Sequence, residues 1–278
     1  MSSLRLRCKV RFRLLVAALT LLLINFRSGE GSGYRLASRQ VVQARLGEYR
    51  GDNRIREATL RKIFGEAGCD GQYLSEQPVL AFEQPNILCV LPGRSNKTVV
   101  IGAHFDRVSG SDGVVDNWSG AALLPSLYQA LRVKQRKHTY IFIGFSGEEQ
   151  GKVGSRFYVQ QMTAEEVASV DAMVNLDSLG LASTRVLAGH SDQLLTDAFI
   201  SLGKQMGVPI AIEKIEHVGT DADAFCNRKI PCITIHSLTQ ELWNAHILHT
   251  TKDRVSAVRF DDYYQTYCVL ATYLASLE

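Results

Sequence analysis

The 278-residue sequence has little cysteine, little proline and no hydrophobic run long enough for a membrane span. Its six cysteines are too few for a miniprotein held together by disulfides, and none has the Cys-x-x-Cys spacing of a sulfur-ligated zinc site. Aromatic residues make up 8% and charged residues 21%, a balance that excludes a disordered or collagen-like chain. The length is sufficient for one or two domains with a large hydrophobic core.

The chain also lacks a large excess of charge of either sign. Its formal net charge is +3, but residues 1–27 contain six Lys and Arg and no acidic residue. The rest of the chain therefore has 25 basic residues, 31 less 6, against 28 acidic ones, a net charge of −3. We expect no basic surface for nucleic acid.

The basic N-terminus has the pattern of an export signal. Basic residues up to Arg13 precede an apolar run at residues 14–24, a length typical of a signal-peptide core and short of the roughly 20 residues that cross a bilayer. The cleavage signal is weak, with Gly29 and Gly31 as its best small-residue pair. We expect residues 1–29 to be a signal peptide or an uncleaved N-terminal anchor. Residues 34–278 would form one exported domain, which is periplasmic, extracellular or membrane-anchored.

Export would expose the cysteines to oxidation. Cys8 lies in the leader, so five remain, and an odd number leaves at least one unpaired in a monomer. Cys226 and Cys232 are close enough in sequence to form a disulfide, and buried unpaired thiols are the alternative.

Buried apolar strands alternate with helices along most of the chain. Strands are predicted at residues 79–82, 86–91, 98–103, 139–145, 172–176, 185–188, 210–212 and 232–235. Helices are predicted within residues 34–64 and at 119–133, 155–162, 192–206 and 260–277. This alternation predicts the α/β class, with a mixed, mostly parallel central sheet and helices on both faces in a three-layer sandwich. In such sheets the chemistry collects at the carboxyl ends of the strands.

Metal-type ligands follow several of these strands. They are His104, Asp116, Glu149, Asp177 and His249. Two zinc ions held about 3.5–4 Å apart need a bridging carboxylate with imidazole and carboxylate ligands on either side. A further carboxylate must take the proton from water, and Glu148 is available for that task. A single aspartate or histidine at the end of a strand is commonly a helix cap or a loop residue. Five ligands together with a further carboxylate, following several of the predicted strands, indicate a dinuclear metal site.

The same residues carry a family resemblance. The matching stretches are His104-Phe105-Asp106, Asp116-Asn117-Trp118-Ser119-Gly120, Glu148-Glu149-Gln150-Gly151, Asn175-Leu176-Asp177 and His249-Thr250-Thr251-Lys252-Asp253. The sequence resembles the dinuclear-zinc exopeptidases of metallopeptidase family twenty-eight, which include bacterial leucyl aminopeptidases, glutamate carboxypeptidase and glutaminyl cyclases.

The resemblance implies two zinc ions per chain and a role for each ligand. Asp116 would bridge the ions, with His104 and Asp177 on one zinc and Glu149 and His249 on the other. A cis peptide bond is implied directly after the bridging Asp116.

The resemblance also implies the residues around the ions. Glu148 would be the general base, and Asp106 would hydrogen-bond His104 and fix its tautomer. Asp221 and Phe225 would contact the substrate. Ala222 stands where the family often has histidine, which leaves the side-chain preference open.

The implied function is a secreted zinc aminopeptidase that hydrolyses N-terminal residues from peptides. A single-zinc glutaminyl cyclase that forms pyroglutamate is one alternative, and a non-catalytic binding relative is another. A carboxypeptidase is a further alternative, because the cationic side chain of Arg107, Arg228 or Lys229 would bind the C-terminal carboxylate of a peptide. The expected partners are peptides, with no nucleic acid, and with a membrane only through an uncleaved leader. The sequence does not indicate an oligomeric state.

Overall fold

A computed structural model describes residues 33–80 and 82–278, so the predicted leader lies outside the described residues. The strands are β1 (Leu74–Gln77), β2 (Asn86–Leu91), β3 (Thr98–His104), β4 (Thr139–Phe145), β5 (Val170–Leu176), β6 (Arg185–Leu187), β7 (Ala211–Glu213) and β8 (Cys232–His236). The helices are α1 (Arg39–Gly47), α2 (Asn53–Glu66), α3 (Ser119–Leu131), α4 (Val153–Gln161), α5 (Ala164–Ser169), α6 (Gln193–Gln205), α7 (Ala222–Cys226), α8 (Gln240–Asn244) and α9 (Phe260–Ser276). Within the described part of the chain, no helix combines the length and the apolar character needed to cross a membrane.

The eight strands form one sheet in the order β1-β2-β4-β3-β5-β8-β6-β7. The four central strands β4, β3, β5 and β8 are parallel. β2 runs antiparallel to β4 at one side, and β6 runs antiparallel to β8 at the other. The predicted mixed, mostly parallel sheet is confirmed.

Successive side chains along each strand point to opposite faces of the sheet, and both faces of the central strands are buried under helices. In β3, Val99 and Ile101 join the larger core, which also contains residues of α1, α2, α3 and α9. Val100 points to the opposite face and packs in a smaller core with Phe225 of α7 and Val159 of α4. The predicted three-layer sandwich is therefore confirmed.

The prediction was wrong for the strand at residues 79–82. β1 lies earlier and ends at Gln77, directly before Pro78, which has no backbone N–H to donate to a strand ladder. The following residues form a turn closed by the Phe82 N–H and the Val79 carbonyl. Val79 is buried within this turn, which explains its apolar character without a strand.

The described part of the chain contains two disulfides. Cys226–Cys232 links the end of α7 to β8, in agreement with the first of the two alternatives for this pair. Cys69–Cys89 links the segment after α2 to β2 and was not predicted. Cys268 is buried and unpaired.

Candidate metal centre

Three neighbouring parallel strands bring candidate ligands to one edge of the sheet. β3 ends at His104, Asp177 directly follows β5, and the turn after β4 carries Glu148 and Glu149. Because the carboxyl ends of parallel strands lie at the same edge, these side chains converge. His249 comes from a loop beyond α8, after the last strand β8, and has a left-handed backbone with φ of 59°.

The carboxylate of Asp116 lies between the two histidines. Its Oδ1 atom is 3.1 Å from Nε2 of His104, and its Oδ2 atom is 3.0 Å from Nε2 of His249. The same Nε2 atom of His249 is 3.0 Å from Oε2 of Glu149. A carboxylate that offers one oxygen to each side is the arrangement needed for bridging two cations.

The ligand atoms form two overlapping groups, each with its atoms within 4.8 Å of one another. One group is His104, Asp116 and Asp177, and the other is Asp116, Glu149 and His249. These are the two sets that the family resemblance implied.

The donor atoms also fit a metal ion chemically. Nε2 of His104 and Oε1 of Glu149 are buried and make no hydrogen bond. Nδ1 of His104 lies 3.3 Å from the Asp106 carbonyl and 3.5 Å from its carboxylate, so the ring proton belongs on Nδ1 and a lone pair remains on Nε2. Buried groups without partners are costly, and a cation would satisfy both of them.

Electrostatics point to the same conclusion. Burial raises the pKa of Asp177 to about 7, and it raises the pKa of Glu148 to about 9 with support from nearby aspartates. Hydrogen bonds to Asp116 and Glu149 raise the pKa of His249 to about 10. Burial opposes a charged His104, yet the carboxylates of Asp106 and Asp116 raise its pKa well above the ordinary value. So many buried carboxyl groups favour positive charge at this site.

Asp106 shapes the turn that carries the two glutamates. Its carboxylate is buried and accepts hydrogen bonds from the backbone N–H groups of Glu148 at 3.1 Å and Glu149 at 3.2 Å. Gly147 precedes them with φ of 67°, where a Cβ atom would lie 2.8 Å from the Phe82 ring. The turn therefore sends the two glutamates in different directions, with Glu149 among the ligands and Glu148 on the wall of an adjacent cavity.

The backbone at Asp116 is held by residues that the sequence analysis did not assign. The Asp116–Asn117 peptide bond is cis, as expected. The carboxylate of Asp253 accepts hydrogen bonds from the N–H groups of Val115 at 2.6 Å and Asp116 at 3.1 Å. The Asn117 amide donates to the Leu176 carbonyl at 2.8 Å. Asp253 stands in the quoted His249 stretch, so the motif contained a signal for it.

Arg56 of α2 is a second residue that the sequence analysis missed. Its guanidinium is fully buried and donates to the carbonyls of Phe105, Asp112 and Gly113 at 2.5, 3.0 and 2.9 Å. It also stacks on Trp118 with 5.1 Å between the guanidinium carbon and the ring centre. Arg56 thus ties the loop after His104 to the loop that leads into the Asp116 turn.

A cavity that is partly open to solvent adjoins the ligands, and Glu148 lies on its wall. The rest of the wall is mainly apolar. Its large apolar residues are Leu187, Ile215, Val218, Leu238, Trp243 and Leu248. No lysine or arginine in the described part of the chain lines it.

The structure corrects the prediction for the substrate-contacting pair. Phe225 is fully buried and packs on Phe145, with 6.1 Å between ring centres, in the smaller core. Asp221 is also buried, and the adjacent Thr220 lines the cavity in its place. Burial raises the pKa of Asp221 to about 6, and neither of its carboxylate oxygens has a hydrogen-bond partner.

The fold and the site define an α/β protein with a candidate dinuclear metal centre at the carboxyl edge of a mostly parallel sheet. The chain belongs to Peptidase family M28, whose sequence profile matches residues 86–273. The matched region contains every candidate ligand.

The curated relatives are longer proteins than this chain. Leucine aminopeptidase 1 of Ajellomyces capsulatus strain H88 is 28% identical over 219 residues, which cover 67% of this chain and 55% of that protein. Leupeptin-inactivating enzyme 1 of Streptomyces exfoliatus is 30% identical over 149 residues, covering 52% of this chain and 34% of that protein. The chain thus spans about half, or less, of the length of these relatives.

Solved structures share the fold. The LapA aminopeptidase of Legionella pneumophila superimposes with a TM-score of 0.72 at 20% identity, covering 85% of this chain and 70% of that chain. The glutaminyl cyclase of an Acidobacteriales bacterium also gives 0.72, at 16% identity, and covers 86% of this chain and 95% of that chain. At these identities the likeness shows the fold alone.

Proposed function

We propose that this protein is an exported, zinc-dependent aminopeptidase that removes N-terminal residues from peptides. The observation that carries the proposal is the placement of Asp116 between two ligand groups, with Glu148 free on the wall of the adjoining cavity. The names of the curated relatives support the same activity.

The chemistry divides between metal and protein. Zinc ions held by the two ligand groups would supply Lewis acidity that polarises the scissile carbonyl and lowers the pKa of water. Glu148 accepts the proton of the attacking water and returns it to the leaving amine. Asp106 holds the Glu148 and Glu149 backbone in place for this transfer. The free amino group of the substrate lies against the carboxylates of the centre.

The charge of the cavity supports an aminopeptidase over a carboxypeptidase. A C-terminal carboxylate calls for a cationic partner. Arg228 instead donates to the carbonyls of Val159 and Met162, and Arg107 donates to the Gly51 carbonyl. The mainly apolar wall suits an uncharged N-terminal side chain.

The decisive experiment compares the wild-type protein with Glu148→Gln, both loaded with zinc, on a small peptide library read by mass spectrometry. We expect the wild type to release single N-terminal residues. The variant should be slower by about 10²-fold or more, because the amide cannot take the proton. The exposed Glu165 provides a matched control, Glu165→Gln, which should behave like the wild type. Release from the C-terminus, or equal activity of Glu148→Gln, would refute the proposal.

A glutaminyl cyclase is a second candidate, supported by the 95% coverage of the Acidobacteriales cyclase. The same library separates the two functions. A cyclase would remove ammonia from an N-terminal glutamine and leave the peptide bonds intact, whereas the aminopeptidase would shorten the peptide. Two complete ligand groups support the aminopeptidase, since the cyclase reaction is expected to use a single zinc.

Export is supported by the basic, apolar leader and by the two disulfides, Cys69–Cys89 and Cys226–Cys232. Disulfides persist in oxidising compartments and are rare in the cytosol. Expression of the full chain followed by fractionation tests this proposal, and N-terminal sequencing of the product shows whether the leader is cleaved. Retention in the cytosol with reduced cysteines would contradict export.

A further inference from the structure

The segment that joins β7 to α7, residues 214–221, forms one wall of the cavity beside the metal centre. Its residues on the cavity surface are Ile215, Val218, Gly219 and Thr220. No backbone–backbone hydrogen bond joins residues 214–219 to another segment of the described chain. The wall is therefore held by apolar packing and by hydrogen bonds to side chains, such as the Gln240 amide oxygen that accepts from the Glu216 N–H at 3.2 Å.

The carboxylate of Asp223 holds the end of this wall. Its Oδ2 atom accepts hydrogen bonds from the Thr220 N–H at 3.1 Å and from the Lys152 ammonium at 3.3 Å. Its Oδ1 atom accepts a hydrogen bond from Nδ1 of His190 at 2.7 Å. The side chain of Asp223 is only 25% exposed, so solvent and salt screen these contacts incompletely. One carboxylate thus joins donors from three different segments of the chain.

Lys152 connects this carboxylate to the turn that carries Glu148. The N–H groups of Gly151 and Lys152 both donate to the Glu148 carbonyl at 2.8 Å. Lys152 has φ of 63°, a left-handed conformation that is unfavourable for a residue with a Cβ atom and persists where neighbouring contacts enforce it. A Cβ atom on Gly219 would lie against Nζ of Lys152 and 2.9 Å from Oδ2 of Asp223, so glycine in the wall makes room for the ion pair.

We propose that Asp223 is a positioning residue for substrate binding, which fixes the cavity wall relative to Glu148 through its contacts with Thr220 and Lys152. This inference rests on the proposed aminopeptidase function and places the N-terminal side chain of the peptide in the cavity. The Glu148 turn has its own support, since Asp106 accepts hydrogen bonds from two of its N–H groups. Loss of the Asp223 contacts therefore loosens the wall and leaves the general base in place. Binding of the peptide side chain weakens, whereas the chemical step is unaffected.

The test measures kcat and KM of the full-length, zinc-loaded protein on two peptides that differ only in N-terminal leucine or alanine. Asp223→Asn leaves one acceptor oxygen where there were two, and the NH₂ group cannot accept from the remaining donors. We expect KM for the leucine peptide to rise about 3- to 10-fold, the factor that one hydrogen bond supplies, with kcat changed less than about 2-fold. KM for the alanine peptide should change less than about 2-fold, because a methyl group has little surface to contact the wall.

Two further variants disturb the same contact without changing the carboxylate. Lys152→Met removes the ammonium group and keeps an apolar stem, and Gly219→Ala displaces the ion pair with a Cβ atom. Both should raise KM for the leucine peptide. Lys152→Met combined with Asp223→Asn should raise it by less than the product of the two single effects, because both variants break one contact.

The ion pair of Lys97 with Asp171 provides matched controls. Its nitrogen and oxygen are 2.8 Å apart, and both side chains are half-exposed. The pair lies where β3 and β5 begin, at the opposite edge of the sheet from the metal centre. Lys97→Met and Asp171→Asn should therefore leave kcat and KM unchanged for both peptides.

The outcomes distinguish this inference from the proposed function. An unchanged KM for the leucine peptide in folded, zinc-containing Asp223→Asn would overturn the role of Asp223 and leave the aminopeptidase intact. A change in kcat alone, or an equal rise in KM for both peptides, would do the same, since a general structural defect does not discriminate between side chains. If Asp223→Asn does not fold, Lys152→Met decides the question by the same criteria. Cleavage of neither peptide by the zinc-loaded wild type would overturn the proposed function itself.

Discussion

Asp106 offers the sharpest test of how the site is held together. Each oxygen of its buried carboxylate accepts one backbone hydrogen bond, from Glu148 at 3.1 Å and from Glu149 at 3.2 Å. Asp106→Asn keeps the size of the side chain but replaces one oxygen with an NH₂ group that cannot accept. One of the two N–H groups then faces a donor inside the protein.

The magnitude follows from these contacts. A hydrogen bond to a charged group contributes about 1.5–3 kcal/mol, so we expect Asp106→Asn to lower the free energy of unfolding by that amount. The turn that positions Glu149 becomes less constrained, and His104 loses the charge behind its Nδ1 atom. Loss of such outer partners typically weakens metal binding about 10- to 100-fold. We expect zinc affinity to fall within this range.

The assays are urea unfolding in EDTA and zinc competition with a chromophoric chelator. Asp171→Asn is the matched control, because Asp171 is a half-exposed aspartate paired with Lys97 at 2.8 Å. A surface ion pair contributes only about 0–1 kcal/mol, and this control should keep its zinc affinity. An Asp106→Asn variant that matches the wild type, or the control, in both measurements would refute this role of Asp106.

Two further predictions concern the frame and the charge of the site. Arg56→Lys replaces the guanidinium, which reaches four backbone carbonyls, with a single ammonium nitrogen that has three donors. It should lower the free energy of unfolding by about 2–4 kcal/mol in urea titrations, and an unchanged midpoint would contradict this. Burial raises the pKa of Asp177 to about 7 and the pKa of Glu148 to about 9, so ionising these carboxyl groups costs more free energy in the folded state than in the unfolded chain. The metal-free protein should therefore lose stability as the pH rises from about 4 to 9. Unfolding curves measured in EDTA across this pH range check the direction of the change in stability. Added zinc should reverse the loss of stability. A stability that rises with pH would refute the prediction.

The central elements were predictable because their signals are local. The apolar run of β4 was predicted with both of its observed ends, and β3 and β8 were each predicted one residue short of theirs. The short strand β1 was missed because Leu74–Gln77 is largely polar, whereas Val79 is apolar for a different reason, its burial in a turn. Apolar character reports burial, and burial alone does not distinguish a strand from a packed turn.

The ligand set was also present in the sequence, since zinc requires particular side chains and a parallel sheet brings its strand ends together. Other features depend on segments far apart in the chain. Arg56 meets carbonyls around Gly113, and Asp253 meets the N–H of Asp116, contacts with no local pattern. The pairing of Cys69 with Cys89 likewise needs α2 packed beside β2.

The sequence by itself determined the α/β class, the parallel core and the identities of the candidate ligands, because strand periodicity and ligand chemistry are properties of the residues themselves. Only the tertiary structure decided which side chains reach the substrate cavity. It placed Phe225 in the core and His236 on the cavity wall, although both are compatible with either environment from sequence alone. The direction of a side chain depends on the packing of elements that are distant in sequence, and that packing is settled only when the whole chain folds.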